Sequence, residues 1–306
     1  MSKQNIKLLI SILSGLVLGL IYVAVNVLTS IFLPAYHEAI KHVLYIVLLS
    51  VISIIILIIF VYLVINVSQE MKFQMLVKEE LRNNGYSKDL HDAVEKRLNK
   101  NKNNTDLPTY YDSLNYVALE AQYNNNYEEV FKVYEGINLN ELAEKLKVYT
   151  GKGNPNNYIA FINMLDIQMS TATYLNDDAK VDEIYPVFEK IYNCYYLKNP
   201  ALDMTLMECK ILYEIYKGKY EKAESSLESI KEKDNLYNLI KINADILTEL
   251  GKKTLTVEKL DEYNQKGKEI SEASFLKKYQ LHLWENFYNN TYKELTGNSK
   301  EKTDEI

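Results

Sequence analysis

Two long runs of hydrophobic residues without a charged side chain dominate the N-terminal part of the chain. They cover residues 8–33 and 43–67. About 20 apolar residues, rising 1.5 Å each, are enough for a helix to cross a bilayer core, so each run predicts a transmembrane span. A cleaved signal peptide is the alternative for the first run. That run is longer than the roughly 7–15 apolar residues of such signals, and no small-residue cleavage site follows it. Residues 1–69 are therefore predicted to form a two-helix transmembrane hairpin.

The basic residues predict the orientation of this hairpin. They lie at its outer ends: Lys3, Lys7, Lys72, Lys78 and Arg82. The short loop between the runs, residues 34–41, offers only Lys41, which Glu38 opposes. Because cytoplasmic flanks of membrane spans are enriched in Lys and Arg, we expect a two-span protein of the cell membrane with both termini in the cytoplasm.

Small residues recur at every fourth position of the first run, at Ser11, Gly15 and Gly19. This spacing places them on one helix face, where they allow another helix to approach closely. The face is predicted either to pack against the second span or to mediate homodimerisation or docking on another membrane protein. Neither run contains a charged residue, which makes an ion or proton path through this hairpin unfavourable.

Beyond residue 69 the apolar residues return at helical spacing. Only 10 Gly and 5 Pro in 306 residues leave little material for the turns of a sheet, which favours an all-α fold. Residues 70–106 are predicted as juxtamembrane helices followed by a polar linker, residues 107–295 as a helical array, and residues 296–306 as a polar tail. Since proline is favourable in the first turn of a helix and Asp and Ser are good caps, further helices are predicted to begin at or near Pro108, Pro155, Pro200, Asp234 and Ser274.

A segment in the C-terminal half, GKYEKAESSL, combines a glycine with an aromatic residue two positions later and a small residue three positions beyond. These are Gly218, Tyr220 and Ala223. An earlier segment, NYEEVFKVY, carries the second part of this pattern with Tyr127 and Val130. Both segments resemble the tetratricopeptide-repeat (TPR) family, in which such residues close the turn between two helices and let the helices touch.

The resemblance implies a TPR-like α-solenoid, with a C-terminal capping helix that contains Trp284. In that family the concave surface, lined by the first helix of each pair, binds a peptide or protein. Two positions depart from the pattern. Asn125 replaces the usual glycine, although Asn tolerates left-handed backbone geometry. Pro186 falls within a second helix, where it is expected to start or kink a helix. A non-repetitive helical bundle is the alternative fold.

The sequence carries no recognisable catalytic constellation, and no cofactor-binding or metal site is predicted. His91 and Glu95 are four residues apart but lack a third ligand, so a solvated helix face is the expected interpretation. Cys194 and Cys209 lack paired Cys-x-x-Cys spacing and are expected to be buried thiols. The net charge of −6 comes from the part beyond residue 78, which disfavours nucleic acid as a partner.

Tyrosine is abundant, with 26 residues. A cluster in the array is predicted either to line a concave groove or to pack between helices: Tyr192, Tyr195, Tyr196, Tyr213 and Tyr216. Together these features predict a membrane-anchored, non-catalytic scaffold or adaptor that binds a peptide or protein partner at the cytoplasmic face. The alternative is an accessory subunit of a membrane transport or secretion complex, assembled through the transmembrane hairpin.

Overall fold

A computed structural model of the chain describes Gly19 and residues 22–28, 30–103, 108–150, 155–194, 200–230 and 234–297. It divides into two compact units, Met1–Met75 and Leu76–Ile306. Every regular element among the described residues is helical, which confirms the all-α class. The α-helices are α1 (Tyr22–Phe32), α2 (His37–Asn83), α3 (Lys88–Asn101), α4 (Pro108–Tyr123), α5 (Tyr127–Val133), α6 (Leu139–Lys145), α7 (Pro155–Tyr174), α8 (Asp178–Tyr192), α9 (Pro200–Tyr216), α10 (Tyr220–Glu228), α11 (Asn235–Gly251), α12 (Val257–Ala273) and α13 (Lys277–Thr296).

Among the described residues, helix α2 alone is long and apolar enough to cross a membrane. It contains 47 residues. Its most apolar stretch has a mean hydropathy of 3.3, and none of that stretch is buried by protein. Side chains such as Ile46 and Phe60 are more than half exposed. Apolar exposure on this scale is unfavourable in water and favourable in lipid.

The ends of α2 differ from the predicted segments. The helix begins at His37, inside the predicted loop of residues 34–41, after a 3-10 turn at Pro34–Tyr36. It also continues past residue 69 without interruption, because neither Gly nor Pro occurs between its first and last residues. The expected separate helix after the second span is therefore the C-terminal part of α2.

Of the predicted first span, only part is described. Ser11 and Gly15 lie outside the described residues. Gly19 is helical, and among the described atoms nothing lies within 4 Å of the position a Cβ would occupy there.

In the C-terminal unit, four pairs of helices are described: α4 with α5, α7 with α8, α9 with α10, and α11 with α12. Their first helices also pack on one another in order, α4 on α7, α7 on α9, and α9 on α11. Helices α4, α7 and α9 begin at Pro108, Pro155 and Pro200, which confirms those predicted starts. Helix α11 follows Asp234, whose side chain accepts a hydrogen bond from the backbone N–H of Tyr237.

The four turns within these pairs share one backbone geometry. Each has a residue with positive φ: Asn125 (58°), Asn176 (54°), Gly218 (68°) and Lys253 (58°). In each turn the next N–H donates to a carbonyl five residues back, from Asn126 to Ala121, Asp177 to Ala172, Lys219 to Glu214 and Thr254 to Glu249, at 2.7–2.9 Å. This is the Schellman arrangement that satisfies the last carbonyls of a helix. Asn125 thus adopts the left-handed conformation expected for it.

Helix α7 forms the centre of the unit. Its apolar side chains pack against α4 on one side and α9 on the other, and Phe161, Met164 and Leu165 are fully buried. Its partner α8 runs through Pro186 without a break. The adjacent Val187 and Phe188 are both 1% exposed in the same core, and their packing stabilises the helix beside the proline.

Candidate functional site

A cavity of about 750 Å³ lies among the first helices of the four pairs and α13. The lining comes mainly from α4, α7, α9, α11 and α13, with one residue each from α5 and α10. Its walls are largely apolar, with side chains such as Ile167, Ile211 and Leu283. A volume of 300–1,000 Å³ is typical of pockets that enclose an organic ligand.

Helix α13 brings the end of the unit back to its beginning. The ring of His282 donates through Nε2 to the backbone carbonyl of Tyr123 in α4, at 2.8 Å, and Asn286 donates to the same oxygen at 3.3 Å. The ring of Tyr279 stacks on that of Tyr123 with centroids 5.5 Å apart. Sequence reasoning expected α13 only to cap the last pair. Its return to α4 adds one wall to the cavity.

The position of α13 depends on close packing against α12. Trp284 is 4% exposed, and its indole N–H donates to Asn264 at 2.9 Å. Its ring lies over Gly267 of α12, where a Cβ would overlap the indole. Tyr288 of α13 hydrogen-bonds Asp261, also of α12. These contacts fix the helix whose inner face lines the cavity.

The predicted repeat residues divide into two groups. Val130 and Ala223 are buried in the core, at 0% and 2% exposure, and Gly218 forms a turn. Tyr127 and Tyr220 line the cavity. Both tyrosines thus contribute surface to the candidate site as well as packing.

Of the predicted tyrosine cluster, Tyr216 lines the cavity. Tyr213 instead stacks on Tyr185 with centroids 3.4 Å apart, and Tyr192 packs beside Phe188. Tyr195 and Tyr196 lie outside the described residues. The groove and packing interpretations therefore both occur within one cluster.

The aromatic wall of the cavity includes residues that sequence reasoning did not single out, Tyr174 and Tyr279. The rings of Tyr127 and Tyr174 lie 4.1 Å apart. Burial raises the pKa of both Tyr127 and Tyr279 above the ordinary value.

Two carboxyl groups face the cavity from adjacent helices, Asp166 on α7 and Glu208 on α9. Cys209 donates its thiol to Asp166 Oδ1 at 3.3 Å. Burial raises the pKa of Asp166 to about 7. Burial, followed by the charge of Asp166, raises the pKa of Glu208 well above its usual value. Sequence reasoning missed both residues, although Asp166 is the one charged residue of α7.

The histidine and the two cysteines considered from the sequence do not belong to the cavity. His91 approaches Glu120 at 2.8 Å, which raises the pKa of the imidazole, and it makes no pair with Glu95. Cys209 is buried and Cys194 is partly exposed, both as free thiols. Within the described ranges, no group of three or more His, Cys, Asp and Glu residues is placed to hold a metal ion.

Comparisons of this chain with protein-family profiles, with curated proteins and with solved structures found no match.

Proposed function

We propose that this protein is a membrane-anchored, non-catalytic binding protein that presents a TPR-like helical array at the cytoplasmic face. The array accepts a segment of a peptide or protein partner in the cavity among its first helices. The observation that carries this proposal is the cavity of about 750 Å³ between those helices and α13.

The character of the cavity wall favours a peptide-like occupant. Apolar side chains supply most of the surface, and the tyrosines add rigid contact area with a polar end. Such amphipathic aromatic residues are enriched where proteins contact one another. The four turns of common geometry favour a repeated hairpin unit as the basis of the array.

The membrane part of the proposal is a two-span hairpin with both termini in the cytoplasm. Helix α2 supplies one span, and the basic residues that flank residues 8–67 favour this orientation. Anchoring would raise the local concentration of the bound partner at the membrane surface.

The orientation is tested by labelling a cysteine placed in the tail, Thr303→Cys, in a chain that lacks Cys194 and Cys209. A thiol reagent that does not cross membranes should leave intact cells unlabelled and should react after the cells are opened. Reaction in intact cells would contradict both the orientation and the cytoplasmic partner.

The binding site is tested by photo-cross-linking from two positions on α13. Asn290 lines the cavity, whereas Glu285 is exposed on another face of the same helix. A photo-reactive residue at position 290 should cross-link a partner in cells, and the same residue at position 285 should not. Narrowing the cavity with Ser170→Trp should weaken the cross-link. Equal cross-linking from both positions would contradict the proposal.

A second candidate function is an accessory subunit of a membrane transport or secretion complex. It is favoured by the four-residue spacing of Ser11, Gly15 and Gly19 in the sequence, which allows another helix to approach closely. In this case Gly19→Ile should abolish co-purification with membrane proteins, while Ala24→Ile in α1 should not. Retention of all membrane partners by Gly19→Ile would exclude it.

A further inference from the structure

The charge of the cavity wall has one sign. Three acidic residues line it, Asp166, Glu208 and Glu294, and among the described lining residues there is no Lys, Arg or His. Glu294 has an exposed side chain. Asp166 and Glu208 are half-buried and line the cavity from α7 and α9.

The two half-buried carboxyls line one cavity from adjacent, packed helices, and the charge of Asp166 raises the pKa of Glu208. Two ionised carboxylates in such surroundings repel each other and lose hydration, so a proton or a cation between them is strongly favoured. Asp166 accepts a hydrogen bond from the Cys209 thiol, which is a weak donor. The pair therefore has capacity to accept further hydrogen bonds from a charged donor.

Two residues of the wall carry a buried polar atom that lacks a hydrogen-bond partner among the described residues. Tyr279 lines the cavity, is 5% exposed, and has a buried hydroxyl without a hydrogen-bond partner among the described residues. Asn243 lines it from α11, and its buried Oδ1 likewise has no donor within the described part of the chain. Buried polar atoms are almost always satisfied, and an amide oxygen can only accept. The aromatic faces nearby would also attract a cation.

We infer that the cavity recognises a ligand through an ammonium or guanidinium group that donates hydrogen bonds to the carboxylates of Asp166 and Glu208. If the proposed function holds, on which this assignment rests, the cationic group is the side chain of a lysine or arginine in the partner segment. A free alkylamine carries the same chemistry and is the other source.

The test uses the full chain in detergent and isothermal titration calorimetry with short peptides. The probes are N-acetyl-Leu-Lys-Leu-amide, the same peptide with acetyl-lysine, and n-butylamine. Because removing one partner of an enclosed charge pair weakens binding strongly, the lysine peptide should bind at least about tenfold more tightly than the acetyl-lysine peptide. Asp166→Asn and Glu208→Gln should each lose about tenfold or more in affinity. Glu294→Gln, at an exposed carboxylate of the same wall, should change it by less than about threefold.

Equal binding of the lysine and acetyl-lysine peptides, or unchanged affinity in Asp166→Asn and Glu208→Gln, would overturn the inference. If n-butylamine binds and neither peptide binds, the cavity has the cationic subsite, but the proposed binding of a peptide segment is overturned. If a partner cross-links from position 290 but neither the lysine peptide nor n-butylamine binds, the proposed function stands and the inference is overturned. Circular dichroism of the two near-isosteric variants separates lost binding from lost folding.

Discussion

The backbone carbonyl of Tyr123, the last residue of α4, accepts a hydrogen bond from His282 of α13, 2.8 Å away although 159 positions separate them in the chain. Asn286 donates to the same oxygen. A helix C-terminus leaves carbonyls without intrahelical partners, and here α13 satisfies one of them. This contact joins the last helix of the unit to its first pair and encloses one side of the cavity.

Removing both donors should therefore loosen α13. In His282→Ala combined with Asn286→Ala, amide hydrogen exchange should become faster in residues 277–296 and stay unchanged in the centre of α7. Glu285→Ala, at an exposed position of the same helix, is the matched control and should exchange like the wild type. Unchanged exchange in the double variant would show that α12 alone fixes the helix.

The close approach of Gly267 and Trp284 predicts an unusual sign for a helix substitution. Alanine normally stabilises a helix interior by about 1 kcal/mol relative to glycine. Here the added Cβ overlaps the indole, so Gly267→Ala should lower the free energy of unfolding by about 1–3 kcal/mol, the usual cost of overpacking. Denaturant unfolding followed by circular dichroism measures it.

The control for that prediction is the same substitution beside a smaller partner. In a Trp284→Leu background the overlap is removed, and Gly267→Ala should become neutral or stabilising. If the substitution costs the same in both backgrounds, the cost does not come from the indole.

The turns predict opposite effects at two equivalent positions. Gly218 has φ of 68° and open space around its Cβ position, so Gly218→Ala should cost about 1 kcal/mol from backbone strain alone. Lys253 adopts φ of 58° with a full side chain, so Lys253→Gly should stabilise by a similar amount. Unfolding of both variants in parallel checks the pair. A loss of stability in Lys253→Gly would mean that its side chain, not its backbone, matters.

Asp166 predicts a pH dependence of stability in the ligand-free protein. Its pKa is about 7 in the fold, against an ordinary value of 3.8, and Glu208 and Cys209 face it from α9. The folded state therefore retains a proton that the unfolded state releases. The resulting stability is fully present below about pH 4 and is lost as the pH rises through about 7. Between these limits the free energy of unfolding should fall steadily as the pH rises.

Asp166→Asn removes this contribution. The free energy of unfolding of the variant, relative to the wild type, should rise between pH 5 and pH 8. Asp92→Asn, at an exposed carboxylate of α3, should give no such trend. A difference between Asp166→Asn and the wild type that does not change with pH would contradict the raised pKa of this carboxyl.

The sequence predicts the features of the fold that are set by residues close together in the chain. The starts of α4, α7 and α9 are set locally by proline at the first helical position, and the turn at Asn125 is set by the tolerance of Asn for positive φ. These features depend on residues a few positions apart, so the sequence predicts them.

The candidate site is set by contacts between distant segments. The return of α13 to Tyr123 depends on residues that are remote in the chain, and no local pattern indicates it. Asp166 and Glu208 become neighbours only when α7 packs on α9. The one local signal is the single acidic residue of the otherwise uncharged α7, and an isolated acidic residue does not indicate which distant side chain lies beside it.

The central claim is that a partner segment enters the cavity, and the emission of Trp284 tests it most directly. Trp284 is the single tryptophan of the chain and is among the residues that line the cavity. In membrane vesicles, the partner segment identified by cross-linking from position 290 should shift the emission of the wild type in a saturable manner. The shift should require a higher concentration of the segment in Ser170→Phe, in which the cavity is narrowed. Identical shifts in both proteins, or no shift in the wild type at saturating segment, would contradict the claim.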